Sequence, residues 1–189
     1  MIEIRHTQMD ASVDTMEAYN KIYSQEGIQQ KDSFYKWIIS LLDISPEKNF
    51  LDVSCGFGRL CYFADKIYSR TYGLDFSHSA LTTAYELYPN INWILGDGEL
   101  LPFSSNSIDI ITNIGSLEHF QSPDDGIKEI SRILKKDGKA YIFLPNGFSL
   151  LGNIKYVMIN GDVFDDGQPL QRYNTVNGWK NLLESNGLI

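Results

Sequence analysis

The chain has 189 residues, a formal net charge of −8 and a pI of about 4.8, with 43% hydrophobic and 13% aromatic residues. That length predicts a single domain with a substantial core. The acidity gives no generic attraction for a phosphate backbone, which argues against a nucleic-acid partner, and no apolar run approaches membrane-spanning length.

The predicted elements begin with a helical N-terminal cap, residues 1–47. Within it MEAYNKIYSQEG reads as one helix, and Asp32 and Ser33 can cap a second whose apolar positions Phe34, Trp37, Ile38, Leu41 and Leu42 recur at helical spacing. Pro46 ends this region. A strand at 49–53 leads into a glycine turn and a helix over about 58–68. The strand RTYGL follows, then a helix over 77–87 stopped by Pro89, the strand INWIL and the strand SIDIITN. The next helix carries the most start signals: Ser122 as N-cap, Pro123 at the first position, Asp124 and Asp125 in the first turn. Ile127, Ile130, Ile133 and Leu134 form its buried face, and Lys135 and Lys136 occupy its last turn before Gly138. KAYIFLP is the fifth strand. Residues 147–174 read as an irregular loop containing the apolar stretch IKYVMI, and Trp179, Leu182 and Leu183 mark a last helix within 175–189, ended by Gly187. Alternation of this kind predicts an α/β, doubly wound, mostly parallel sheet with helices on both faces. Ligands of such sheets bind beyond the carboxyl ends of the strands.

The glycine turn, FLDVSCGFGRL at 50–60, is the first candidate site. Gly56 and Gly58 fit the first two positions of the dinucleotide fingerprint G-x-G-x-x-G, but Cys61 stands at the third. Asp52 ends the preceding strand, where a carboxylate is awkward beside a pyrophosphate and useful beside an ammonium or sulfonium group. Asp75 and Asp97 follow the second and third strands. One such carboxylate can take two ribose hydroxyls and another an adenine amino group. The three acids are spaced for one elongated, cationic, adenosine-containing molecule. Cys55 and Cys61 match no zinc or redox spacing and read as reduced thiols of a cytoplasmic protein whose N-terminus lacks a signal-peptide profile. Histidines at 6, 78 and 119 do not make a metal site.

At these residues the chain resembles the class I S-adenosylmethionine-dependent methyltransferases, especially the small-molecule branch near the ubiquinone and menaquinone biosynthesis enzymes. LDVSCGFGRL resembles motif I, YGLDFS the second-strand motif, GDGELLPFSSNSIDIITNIGSLEHF the third-to-fourth-strand region and LKKDGKAYIFLPN the fifth-strand motif. The likeness covers about 48–146, the cofactor-binding core, and more loosely 175–187. It implies a Rossmann-like sheet, methyl transfer and S-adenosyl-L-methionine as cofactor. By resemblance, Gly56 and Gly58 line its methionine part, with Ser54 standing where the family usually has a glycine. Asp75 takes the ribose hydroxyls, Phe76 packs on adenine, Asp97 and Gly98 meet the adenine edge, and Asp52 and Asn113 complete the cofactor set.

His119, of a Glu-His pair the family often carries, would accept a proton from a substrate hydroxyl; the alternative is an imidazole that only packs. Glu118 would support local structure. Tyr19 and Tyr23 lie on the segment resembling the cofactor-covering helix, and Phe148, Tyr156 and Arg172 are expected to face the acceptor. NIGS stands where amino-methylating nucleic-acid enzymes carry N/D-P-P-Y/F, which again argues against a DNA or RNA base as acceptor. The tail GDVFDDGQPLQRYNT with GWKNLLESNGL is similar to methyltransferases of glycan or polyketide assembly and tilts the acceptor toward a sugar or secondary-metabolite hydroxyl. The rivals are an NAD-dependent oxidoreductase and a non-catalytic cofactor-binding protein of the same fold.

The family closes its sheet with two further strands. Here they are expected to be missing, leaving five in the order 3-2-1-4-5 with an open edge that favours a homodimer, unless 154–159 folds back as a replacement strand.

Overall fold

The alternation from residue 49 onward folds as one parallel sheet in the computed structural model, which describes residues 1–5 and 12–188. The chain opens with β1 (Ile2–Arg5), α1 (Ser12–Gln25) and α2 (Asp32–Leu41). The core then runs β2 (Asn49–Val53), α3 (Arg59–Ala64), β3 (Arg70–Asp75), α4 (His78–Leu87), β4 (Asn92–Leu95) and β5 (Ile108–Ile114). A 3-10 turn (Leu117–His119), α5 (Pro123–Ile133) and β6 (Leu134–Phe143) follow. Strand order is β4-β3-β2-β5-β6, all parallel, which is the expected 3-2-1-4-5.

Burial on both faces explains the apolar runs, because strand residues alternate sides. Phe50 and Ile110 pack on one face with Ile38, Leu60 and Tyr68. Leu51, Val53 and Ile111 pack on the other with Leu101, Ile130 and Ile133. Ser122 caps α5 as its residue type predicts, accepting from the Asp125 amide, and Ser77 caps α4, accepting from the Ala80 amide.

Three helix ends differ from expectation. The residue before α2 is Lys31, with no side-chain cap, because Asp32 is instead the first helical residue and takes both arms of the Arg59 guanidinium at 2.8 and 2.6 Å. The helix expected over 58–68 stops at Ala64. The third is α5, which ends at Ile133; Leu134, Lys135, Lys136 and Gly138 belong to β6. Lys135 reaches the Asp109 carboxylate at 2.8 Å, and a register shift between Ile108 and Ile110 absorbs the extra residues.

The strand count also differs: there are seven among the described residues, not five. β1 pairs antiparallel with β7 (Leu170–Tyr173) as a separate ribbon, with Glu3 opposite Arg172 and Arg5 opposite Leu170. IKYVMI forms no replacement strand; a π-helical turn (Leu150–Ile154) leads into α6 (Lys155–Asn160). Among the described residues β6 pairs with β5 alone and is the outer strand. α7 (Val176–Ser185) is the predicted last helix, buried through Trp179. No described helix is long and apolar enough to cross a membrane.

Candidate functional site

Beyond the carboxyl ends of the parallel strands lies a cavity of about 220 Å³. Asp52, Ser54, Cys55 and Gly56 line it after β2, Asp75 and Phe76 after β3, and Asp97, Gly98 and Glu99 after β4. Ile114, Gly115, Ser116, His119, Phe120 and Gln121 form the wall after β5, with Phe143 from the end of β6. Thr15, Tyr19 and Tyr23 of α1 cover it.

The turn itself is a backbone device. Ser54, Gly56 and Gly58 have φ of 61°, 55° and 72°, so every second residue is left-handed and the chain reverses tightly into α3. Ser54 occupies a conformation that non-glycine residues seldom adopt. A Cβ on Gly56 would lie 2.8 Å from the Tyr23 hydroxyl, so the absence of a side chain lets the covering helix approach.

Two buried carboxyls face this turn. Asp75 Oδ2 accepts from the Gly56 amide at 2.8 Å and Oδ1 from the Ser77 amide at 2.9 Å. Burial pushes its pKa up to about 6, against those backbone bonds. Asp52 accepts from the Thr112 hydroxyl at 2.7 Å, and burial pushes its pKa up to about 7, with the Asp75 charge adding to the rise. Asp97 accepts from the Glu99 amide at 2.9 Å and still lines the cavity.

No described lining residue is Lys or Arg. Buried carboxyls with no basic neighbour on the wall fit a cationic ligand bearing hydroxyl and amino donors, and they repel a pyrophosphate. Phe76 adds an aromatic face, 5.4 Å from the Tyr19 ring.

The cover is latched by polar contacts. Tyr19 donates its hydroxyl proton to Gln168 Oε1 at 2.9 Å. Asn20 Oδ1 accepts from the Ser77 hydroxyl at 2.9 Å and the Ser79 amide at 3.2 Å, and Gln121 donates to the Thr15 hydroxyl at 2.9 Å. Burial raises the hydroxyl pKa of both Tyr19 and Tyr23.

His119 sits on the 3-10 turn, 8% exposed. Its Nδ1 donates to the Leu170 carbonyl, which can only accept, so the neutral ring carries its lone pair on Nε2. Burial lowers its pKa; the nearby Arg172 charge acts in the same direction, and the Leu170 bond and Asp166 oppose it. Glu118 Oε1 lies 3.9 Å from Nε2, and burial lifts the Glu118 carboxyl to about 8.

Several expected site residues lie elsewhere. Gly58 does not line the cavity; a Cβ there would meet the Trp93 ring at 2.1 Å, so this glycine makes room for an indole. Asn113 is fully buried and off the cavity, donating to the Val53 carbonyl at 3.3 Å and accepting from the Leu117 amide at 3.0 Å. Phe148 is half exposed and away from it, and Tyr156 packs edge-on against Phe164 at 5.4 Å. Arg172 is buried at 4% exposure behind the wall, ion-paired to Glu3 at 2.8 Å and donating to the Glu118, Phe120 and Gln121 carbonyls.

The long loop does contribute one lining residue, Gln168, which no sequence signal singled out. Phe34, Tyr35 and Phe143 were also missed as wall residues. Ile114 and Phe143, each the last residue of its strand, are wall residues that the strand-end rule finds.

The strand order, the glycine turn and the row of strand-end acids make a methyltransferase-like α/β fold with an acid-lined cavity at its strand ends. Residues 51–142 match the model of a methyltransferase domain family. A demethylmenaquinone methyltransferase of Chlorobaculum tepidum is 35% identical over 105 residues, 55% of this chain and 43% of that protein. A 2-phytyl-1,4-naphtoquinone methyltransferase of Synechocystis sp. is 32% identical over 124 residues, 59% of this chain and 52% of the relative. The chain thus spans about half the length of these curated relatives, or less. The YcgJ protein of Bacillus subtilis superposes with a TM-score of 0.67 at 19% identity, over 82% of this chain and 68% of its own, a likeness of fold. Residues 51–142, just under half of the chain, are thus similar to a methyltransferase domain.

Proposed function

We propose that the protein transfers a methyl group from S-adenosylmethionine to a small acceptor whose hydroxyl proton passes to His119. When bound, the cofactor supplies an electrophilic methyl on a sulfonium centre. In this reading Asp75 accepts from the ribose hydroxyls, Phe76 covers the adenine and Asp97 with Gly98 meets its edge. Gly56 and Ser54 give backbone access to the methionine part, and Asp52 supplies negative charge beside it. Tyr19 and Tyr23 close the site from above.

The observation that carries the reading is His119. It is a buried imidazole held neutral, with its lone pair on Nε2, on the wall of the cavity that also holds Asp52 and Asp75. Deprotonating a hydroxyl makes a nucleophile of its oxygen, or of a conjugated ring carbon. Sugar or secondary-metabolite hydroxyls and the quinol-type rings suggested by the relatives' names are therefore the acceptors to test. Phe34 and Phe143, in edge-to-face contact at 5.8 Å on the wall, favour an apolar or planar one. A cytoplasmic location and pairing of two copies along β6 belong to the same reading, and fractionation and sedimentation test them.

Titration calorimetry with S-adenosylhomocysteine and with NAD separates this reading from an oxidoreductase, since only the first should bind. Transfer of label from methyl-labelled cofactor to a panel of naphthoquinols, catechols and sugars tests turnover. Binding of S-adenosylhomocysteine with no transfer to any acceptor would favour the non-catalytic alternative.

A further inference from the structure

We propose that the β1–β7 ribbon is the positioning device of His119, with Arg172 as its central residue. The inference concerns the orientation and tautomer of the imidazole, and its catalytic meaning rests on the function proposed above.

His119 stands on a 3-10 turn of three residues, Leu117–His119, too short to hold a side chain by its own hydrogen bonds. The ribbon supplies what the turn lacks. The Leu170 carbonyl accepts from Nδ1. Two residues on, the Arg172 guanidinium spans the carbonyls that flank the histidine: Nη1 donates to Phe120 O and, at 3.4 Å, to Glu118 O, and Nη2 donates to Gln121 O at 3.2 Å. Its Nε donates to Glu3 Oε2 at 2.8 Å, and Glu3 is its partner in the ladder. Arg5, opposite Leu170, donates to the Gln121 side chain at 3.2 Å. A planar fork with several donors in fixed directions can grip three carbonyls at once, and a lysine ammonium on the same stem cannot reproduce that grip.

The ribbon also sets the charge around the ring. The groups facing His119 are Glu118 on its own turn, Arg172 on β7 with Glu3 on β1 behind it, and Asp166 from the segment before β7. Tyr19 of α1 lies within the field of Glu118 and Asp166. Asp166 is itself held by Gln168 and Gln171 at 2.7 and 2.9 Å. Arg172 is nearly inaccessible to solvent and Glu3 stands at the rim, with side-chain exposures of 5% and 41%. A buried cation close to an imidazole disfavours its protonation, and the counter-ion behind that cation softens the effect. Opposite changes at the two residues should therefore move His119 in opposite directions.

The test is ¹⁵N NMR of the full chain labelled at histidine, with the His119 signals assigned by their loss in His119→Ala. In the unmodified protein His119 should be the Nδ1–H tautomer, titrating below the ordinary histidine range. Glu3→Gln, a change at the rim, should lower the titration midpoint, and Arg172→Gln should raise it, each by roughly half a pH unit or more. Arg172→Lys should keep the midpoint near the original but lose the single tautomer, because the charge remains while the grip is lost. Cooperative thermal melting checks that each variant is folded; should Arg172→Gln fail it, Glu3→Gln and Arg172→Lys decide. A midpoint unmoved within about 0.1 pH unit in Glu3→Gln, together with an unchanged tautomer in Arg172→Lys, would overturn the proposal. These readings need neither cofactor nor acceptor, so they can fail while methyl transfer stands, and hold if it does not.

Discussion

Asp52→Asn should make the ligand-free protein more stable at pH 8 while weakening its hold on the cofactor. Asp52 is 4% exposed and its carboxyl is pushed up to about 7, burial being the main cause. Among the described residues its side-chain bond comes from the Thr112 hydroxyl, which an asparagine Oδ1 can still accept. The displacement from 3.8 to about 7 corresponds to roughly 4 kcal/mol, an upper bound on what the ionised form costs the fold. Because the folded pKa is the raised one, the cost is absent only well below pH 3.8, where both states are protonated, and is still small at pH 4. It grows as pH rises from the unfolded value of 3.8 to the folded value of about 7 and is complete by about pH 8. Solvent relaxation and coupling to Asp75 reduce it, so the gain should be about 1–3 kcal/mol at pH 8, some 3–10 °C in melting temperature for a chain of this length. The assay is urea denaturation of both proteins at pH 4 and pH 8, followed by titration with S-adenosylhomocysteine and S-adenosylmethionine. Equal stability at pH 8, or a gain of the same size at pH 4, would show that Asp52 does not carry an uncompensated buried charge.

Asp75→Ala should weaken S-adenosylhomocysteine binding by about 1.5–3 kcal/mol, tenfold or more, read by calorimetry. Asp75→Asn should retain part of the turn structure and fall between the two. His119→Ala should lower turnover on any active acceptor by roughly 10²–10⁴ with an almost unchanged cofactor dissociation constant; equal turnover returns the imidazole to a packing role. Gly58→Ala should destabilise the fold by about 1–3 kcal/mol in denaturant, through the Trp93 ring and a left-handed backbone, because this glycine serves packing. Asn113→Ala should cost a similar amount by leaving the Leu117 amide without its acceptor, and it too reads out in stability before binding.

What was legible in the sequence was local. The five parallel strands announce themselves because both faces are buried, and Ser122 caps its helix within three residues of itself. The acids at strand ends follow from the fold's own geometry, and Asp52, Asp75 and Asp97 do line one cavity. The failures are matters of distance along the chain. The β1–β7 ribbon joins residues about 170 positions apart through four-residue strands, too short for periodicity to reveal. Lys135, Lys136 and Gly138 imitate a helix terminus, but a carboxylate on the neighbouring strand claims Lys135 and pairing with β5 begins at once. Gly56 and Gly58 look alike in the motif, and only Trp93, on another strand, separates their roles. Arg172 in a polar loop suggested contact with an acceptor, whereas its partner is a glutamate at the opposite end of the chain.

The covering helix has a kinetic consequence. α1 is fastened at three places, through Tyr19 to Gln168, through Asn20 to Ser77 and Ser79, and through Thr15 to Gln121. At about 1 kcal/mol net for each place, the latched form would outweigh an unlatched one roughly a hundredfold. Traffic into and out of the cavity passes through that minor population, so entry and departure slow together while affinity need not change. A site built this way holds what it has captured long enough for a second molecule to arrive. Loosening any one latch, for example with Gln168→Ala, should quicken exchange by up to about tenfold in stopped-flow measurements, with little effect on the equilibrium constant.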